Sequence, residues 1–467
     1  MGINQKILIR LVVLFLLGAV LTFSPERRDL TALYDSLQDV QQTKNYHLGA
    51  QTLASLALKQ PWREGLWEKS GKFALAAGDR QQAKYAFEQA ASRDDLSVEG
   101  RYALGQIYYR EGSFDLAERT WFRLDHYPPA SAALAELYTQ QGNFLGGITA
   151  WEHYLQLQEG EVSQEVLEEY GILLASHEPL RALPYLKTAG KNSPAAKKLV
   201  QALTGVEDEE RAYVLLTSGQ TLGAIGRWRL AEFAIRQAVE LRPDYAEAWV
   251  YWAEILQHLD QPETDPASAL ERARSLTPES PLVQMFYGLY WQRQDEHQKA
   301  LESFRLAQQS WPEKPEVYIE QGISLAVLGD LPAAEEMYFQ ALELQPDRAA
   351  PYRLLANFYL EYHYRVREAG LPAARKAVNL GDEDPENLLT LGRVLLELGD
   401  EANAQKFFYR ALELQPRFAL AHLHLGLYYL EQGEQDSAVY HLHQAVITAD
   451  QPALSDQAEK ILDTLVE

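Results

Sequence analysis

The sequence has no cysteine and only three methionines among its 467 residues. The missing thiol excludes disulfides, thiolate metal sites, a cysteine nucleophile and a lipidated N-terminal cysteine. Positive charge is also scarce: 43 Lys plus Arg stand against 66 Asp plus Glu, for a net charge of −23. Residues 1–28 hold Lys6, Arg10, Arg27 and Arg28 against Glu26, so they are +3 and the rest of the chain is −26. So acidic a body repels phosphate backbones, which excludes bulk nucleic-acid binding and favours neutral or basic partners. Glycine-rich phosphate loops and nucleophile elbows are absent as well. The nearest approach to a metal motif is His422 with His424 and His441 with His443. Residues two apart on a helix project to nearly opposite sides, so neither pair chelates one ion. The expectation is a non-enzyme with no catalytic, cofactor-binding or metal-ligating residues.

Long apolar runs are missing except at the N-terminus, which reads KILIRLVVLFLLGAVLTFSPERR. Ile7–Phe23 is 17 residues with Arg10 as its only charge. As a helix it would span roughly 25 Å, and Arg10 near one end can reach the headgroups. Residues 1–28 are therefore expected to be a transmembrane anchor or signal segment. An uncleaved anchor is favoured, because Pro25 would follow a cut after Ser24. The early Lys6 and Arg10 suggest a cytoplasmic N-terminus, hence a single-pass protein with an extracytoplasmic body.

What the chain has in abundance is repetition. ALELQP occurs at Ala341–Pro346 and again at Ala411–Pro416, and AVELRP at Ala238–Pro243. Each closes a longer pattern: Gly322, Ala334, Tyr338, Ala341 and Pro346 recur as Gly392, Ala404, Phe408, Ala411 and Pro416. The anchors Gly219, Ala253, Gly288, Gly322, Ala356, Gly392 and Gly426 are spaced 34, 35, 34, 34, 36 and 34. Upstream, Gly71 and Gly105 are again 34 apart, with Ala135 and Gly171 as looser members.

This pattern resembles the tetratricopeptide repeat, a 34-residue helix–turn–helix unit, over nearly all of residues 33–452. Small residues at repeat positions eight and twenty let two helices approach, and large ones at four, seven, eleven and twenty-four fill the space between. Gly78, Gly112, Gly142, Gly226, Gly329, Gly399 and Gly433 each follow an anchor by seven residues, where a left-handed residue would close the first helix. Proline at position thirty-two ends the second helix. The resemblance implies an all-α fold, a right-handed superhelical solenoid of about 11–12 repeats. The boundaries expected are an irregular array over 29–190, a junction over 191–211, seven regular repeats over 212–452, and a capping helix over 453–467.

Proteins of this kind bind protein or peptide partners along the surface lined by first helices. Positions two, five, nine, twelve and thirteen of the C-terminal repeats place Arg353, Asn357 and Arg393 on that face. Arg353 and Asn357 resemble half of a chaperone-tail clamp whose remaining residues are lacking. Two repeats depart from the period near the inner turn: His258–Pro266 is one residue longer, and residues 361–372 are two longer. In the second, Pro372 suits the first position of a helix, so the second helix is expected to start late and its connector to protrude. There Tyr362, Tyr364, Arg365 and Arg367 form an aromatic–basic cluster, a candidate contact site. The nine tryptophans fall mostly at packing positions. The functional expectation is a membrane-tethered scaffold for protein or peptide partners in cell-envelope assembly or secretion. The alternative is a regulator or carrier acting on an envelope polysaccharide or its biosynthetic enzymes.

Overall fold

Helix after helix follows from the chain's own punctuation. Asp79, Ser97, Asn143, Ser163 and Asp330 each cap a helix N-terminus by accepting a backbone N–H three residues on. In ALELQP the helix ends at Leu344 or Leu414, and Pro346 or Pro416 follows two residues later. The computed structural model describes residues 25–259, 264–449 and 452–466. Among them, twenty-six α-helices and one π-helical turn succeed one another without a strand, an all-helical solenoid of paired helices. The anchor expected over 1–28 lies outside the described residues except for its last four, which begin the helix Pro25–Thr43. Among the described residues no helix is long and apolar enough to cross a membrane.

Packing at the anchors explains the period. A Cβ on Gly288 would lie 2.2 Å from Phe304, and one on Gly392 would lie 2.6 Å from Phe408. Position eight of the first helix thus receives the ring at position twenty-four of the second. Phe87, Phe304 and Phe408 are wholly buried in this way, as are Ala83, Ala300 and Ala404 at position twenty. All seven inner-turn glycines have φ between 74° and 85°. In two repeats that lack this glycine, Asp295 (57°) and His363 (47°) take the same left-handed conformation, whereas Glu178, seven residues after Gly171, has a φ of −126°.

The chain divides into two compact units, residues 1–237 and 238–467. In the first, the wholly buried Tyr170 and Leu174 mark the core, and the stretch 191–211 holds one helix, Pro194–Leu203. The Ser218 hydroxyl donates to the Ala175 carbonyl at 2.7 Å, and the Gln237 amide donates to the Ser176 carbonyl at 3.0 Å. In the second, one core runs from Tyr318 to Ala438. The helix Pro452–Val466 lays Ala458, Ile461, Leu462 and Leu465 against Leu423, Leu442 and Ala445.

The longer of the two irregular repeats differs from expectation. Its second helix does not start late at Pro372: a π-helical turn, Val366–Gly370, runs directly into Leu371–Leu380. In the regular repeat before it, the turn Leu328–Asp330 has three residues; here it has four, Tyr362–Arg365. One inserted residue sits in the turn and the other in the wider π coil, which takes one more residue per turn than an α-helix. The turn at His258–Pro266 falls partly outside the described residues.

Candidate functional site

The helices Val98–Arg110 and Pro128–Gln141 are first helices of consecutive repeats, joined through Phe114–Phe122. With Gly105 and Ala135 at position eight, Pro129 is at two, Tyr102 and Ala132 at five, Gln106 and Glu136 at nine, and Tyr109 and Arg110 at twelve and thirteen. These residues, with Trp121 and Tyr154, line a cavity of about 430 Å³. A volume of this size suits a side chain or a small ligand.

Trp121, 2% exposed, underlies the cavity, and its indole N–H donates to the Tyr102 carbonyl at 3.2 Å. It fits there because position eight is glycine: a Cβ on Gly105 would stand 2.2 Å from the indole nitrogen. The ring centroids of Tyr102 and Tyr109 lie 6.3 and 5.8 Å from that of Trp121. Gln106 donates to the Tyr102 hydroxyl at 3.0 Å, and the Tyr109 hydroxyl donates to Gln140 at 2.6 Å, so both phenols are held. Glu136 has no hydrogen-bond or ion-pair partner among the described residues. Burial, and then the charge of Glu169, hold its carboxyl above the ordinary carboxylate range. Burial likewise raises Tyr102.

In the second unit a cavity of about 630 Å³ opens beside His422 and His441. Both histidines are buried, with their Nδ1 atoms 3.0 Å apart. They come from facing helices, Ala419–Glu431 and Gln435–Thr448. Among the described residues no three His, Asp or Glu side chains group to hold a metal ion.

The residues singled out in the sequence fall into two groups. Arg353 pairs with Glu386, and Asn357 accepts from the Thr390 hydroxyl at 3.2 Å, both reaching to the next first helix. Arg393 lies on that helix, half-buried; burial works against its charge while Glu361 supports it, and the net shift is downward. The two tyrosines of the insertion cluster are half-buried. Tyr364 stacks on Tyr359 with centroids 6.1 Å apart, and Tyr362 lies 5.7 Å from Phe358. Arg365 grips the buried Glu335 through 2.7 and 2.8 Å contacts, and the Tyr359 hydroxyl donates to the same carboxylate. Arg367 remains exposed. The cavity at Tyr102 and Glu136 was not among the expected sites. The same position register, carried upstream from the C-terminal repeats to 98–141, marks it.

Residues 70–131 and 389–453 match the sequence profile of the tetratricopeptide repeat. These two stretches carry tetratricopeptide repeats. Over 274 residues the repeat chain is 26% identical to the human mitochondrial import receptor subunit TOM70, covering 56% of this chain. The match spans 44% of that relative, less than half its length. Among solved structures, yeast Tom70 aligns over 94% of this chain and 96% of its own, at 15% identity and a TM-score of 0.46. YrrB, described as a repeat protein with an unusual peptide-binding site, aligns over 41% of this chain and 98% of its own, at 20% identity and a TM-score of 0.29.

Proposed function

We propose that this chain is a scaffold whose first-helix face holds protein partners, tethered to a membrane by residues 1–28 and serving envelope assembly or secretion from the outer side. The observation that carries the binding role is the cavity at Tyr102, Tyr109 and Glu136. It lies on the positions that repeats of this family present to partners, and it is walled by side chains already fixed by their own hydrogen bonds. A pre-ordered wall lowers the entropy lost on binding. The name of the human relative, an import receptor subunit, agrees with a role in holding other proteins. The tether rests on the apolar run Ile7–Phe23. A non-enzymatic role belongs to the same reading, since the repeats take up nearly all of the chain.

A photo-crosslinking amino acid at Ala132, in full-length protein in native membranes, tests the scaffold. One at the exposed Tyr85 serves as the reference. A discrete protein adduct formed at 132 and not at 85 is expected; identical patterns at both would refute the binding face. Recovery of uncleaved protein in the soluble fraction would refute the tether.

A further inference from the structure

Glu136 sets the cavity at Tyr102 apart from an ordinary aromatic hollow. An unpaired carboxylate beside the aromatic rings Tyr102, Tyr109 and Trp121 lacks the cation that such a setting favours. Ring faces are negative and attract cations, and the Glu136 carboxylate, exposed at the cavity rim, is open to one. Among the described residues no cation pairs with Glu136. Arg110 lines the cavity but makes no ion pair with Glu136. Lys or Arg groups lie over other rings, Lys84 over Tyr108 and Arg93 over Trp67, yet none lies over Tyr102, Tyr109, Trp121 or Tyr154 among the described residues. Glu169 deepens the negative potential at Glu136, although it also pairs with Arg227 at 3.1 Å. Charge complementarity on the larger scale agrees, because the chain carries −23 overall.

We propose that this cavity receives an arginine side chain of the protein partner, its guanidinium against the Glu136 carboxylate and its plane along the tyrosine walls. A guanidinium matches this setting better than an ammonium: it is planar, weakly hydrated, and stacks while donating a forked pair of hydrogen bonds to a carboxylate. Gln106, on the same repeat position as Glu136, adds a carbonyl acceptor at the rim. The proposal rests on the reading of this face as the partner surface and names the chemistry it selects.

The test is binding of N-acetyl-arginine amide to the full-length protein in detergent micelles, by saturation-transfer NMR and calorimetry. N-acetyl-citrulline amide keeps the shape of the probe and lacks the charge. Arginine amide is expected to bind at least tenfold more tightly than citrulline amide, and more weakly as salt is raised. Glu136→Gln is expected to abolish the preference, while Glu413→Gln in the second unit leaves it intact. Because Glu136 makes no internal bond, the Gln variant keeps its melting temperature, which separates lost binding from lost folding. Equal affinity for the two amides, or an unchanged preference in Glu136→Gln, overturns the proposal. An adduct at position 132 alongside equal amide affinities would remove the arginine pocket and leave the scaffold standing.

Discussion

His422 and His441 meet through their Nδ1 atoms at 3.0 Å, and the surrounding bonds dictate which of them carries the proton. The Nε2 of His422 faces the Pro416 carbonyl at 3.2 Å, an acceptor, so that nitrogen holds the hydrogen. Neutral His422 then accepts at Nδ1, and His441 donates there. Its own Nε2 accepts from the Tyr409 hydroxyl, 3.4 Å away, which in turn lies 2.8 Å from the Tyr429 hydroxyl. The whole chain of bonds is satisfied only with both rings neutral.

Mild acid should therefore loosen the unit of residues 238–467. Burial, and then the neighbouring His422, push His441 down to about 4, and burial lowers His422 as well. On the same helix pair, burial and Arg393 push His424 down to about 3. In the unfolded chain these rings titrate near 6.5, so stability is intact above that pH and is lost as pH falls toward 4. For His441 alone the loss is on the order of 3 kcal/mol. Replacing it by Phe, the residue at the matching position 407, should flatten the dependence of the denaturation midpoint between pH 7.5 and 4.5. A His441→Phe profile as steep as the parent's would contradict the neutral pair.

Glycines at two positions should fail for different reasons when changed to Ala. Gly288→Ala drives a methyl into the Phe304 ring, 2.2 Å away, and overpacking of this kind costs about 1–3 kcal/mol. Gly399→Ala meets nothing within 4 Å, but its φ of 80° is strained for any L side chain, at about 1–2 kcal/mol. Trimming the ring, as Phe304→Leu, should partly rescue the first variant. No second substitution of a neighbour should rescue the other. Urea denaturation of the single and double variants decides this.

Removing Arg365 should lower stability more than a surface charge normally does. Glu335 is 8% exposed, and Arg365 is the cation that compensates it. Because the Arg365 side chain is itself half exposed, Arg365→Ala should cost less than breaking a fully buried pair. Adding Glu335→Gln should recover much of it. A thermal melt of the double variant no better than that of the single one would rule out charge compensation.

Ser97 should prove a costly residue for its size. Its hydroxyl donates to the Glu68 carboxylate at 2.6 Å and accepts from the Gly100 N–H at 3.1 Å, capping its helix. Burial raises the Glu68 pKa, but bonds from Lys72 and from the Ser97 side chain and backbone outweigh it, and the net shift is downward. That contribution is present above pH 4.5 and fades as the pH drops through the lowered folded value. Ser97→Ala should cost about 1–2 kcal/mol at neutral pH. Ser97→Thr, which keeps the hydroxyl, should cost well under half of that.

The helical class, the anchors and the left-handed inner turns were legible because each depends on contacts within one 34-residue unit. Gly392 against Phe408 is such a contact: 16 positions separate them, and every copy restates the rule. The fate of Arg365 was not legible, since an aromatic–basic stretch reads as a docking patch until Glu335, 30 residues earlier, is seen to bind it. His422 and His441 were hidden for a related reason. Each has a histidine two residues away on its own helix, but its partner sits across the pair, where the repeat register sets positions four and twenty-three face to face. The cavity around Tyr102 obeys the same register, blurred there by the looser upstream repeats. The unpaired state of Glu136 is a fact of three dimensions alone.

The π-helical turn at Val366–Gly370 has a bearing on every later repeat of the chain. Two residues added inside a continuous α-helix would rotate its remainder by about 200°, turning an inward stripe outward. Split between a lengthened turn and one wide coil, they leave Ala374, Ala377, Leu388 and Leu391 buried, just as their counterparts are before the insertion. The chain thus contains a phase corrector. An insertion that would otherwise scramble the later copies is reduced to a local swelling, and the repeats beyond it keep time with those before.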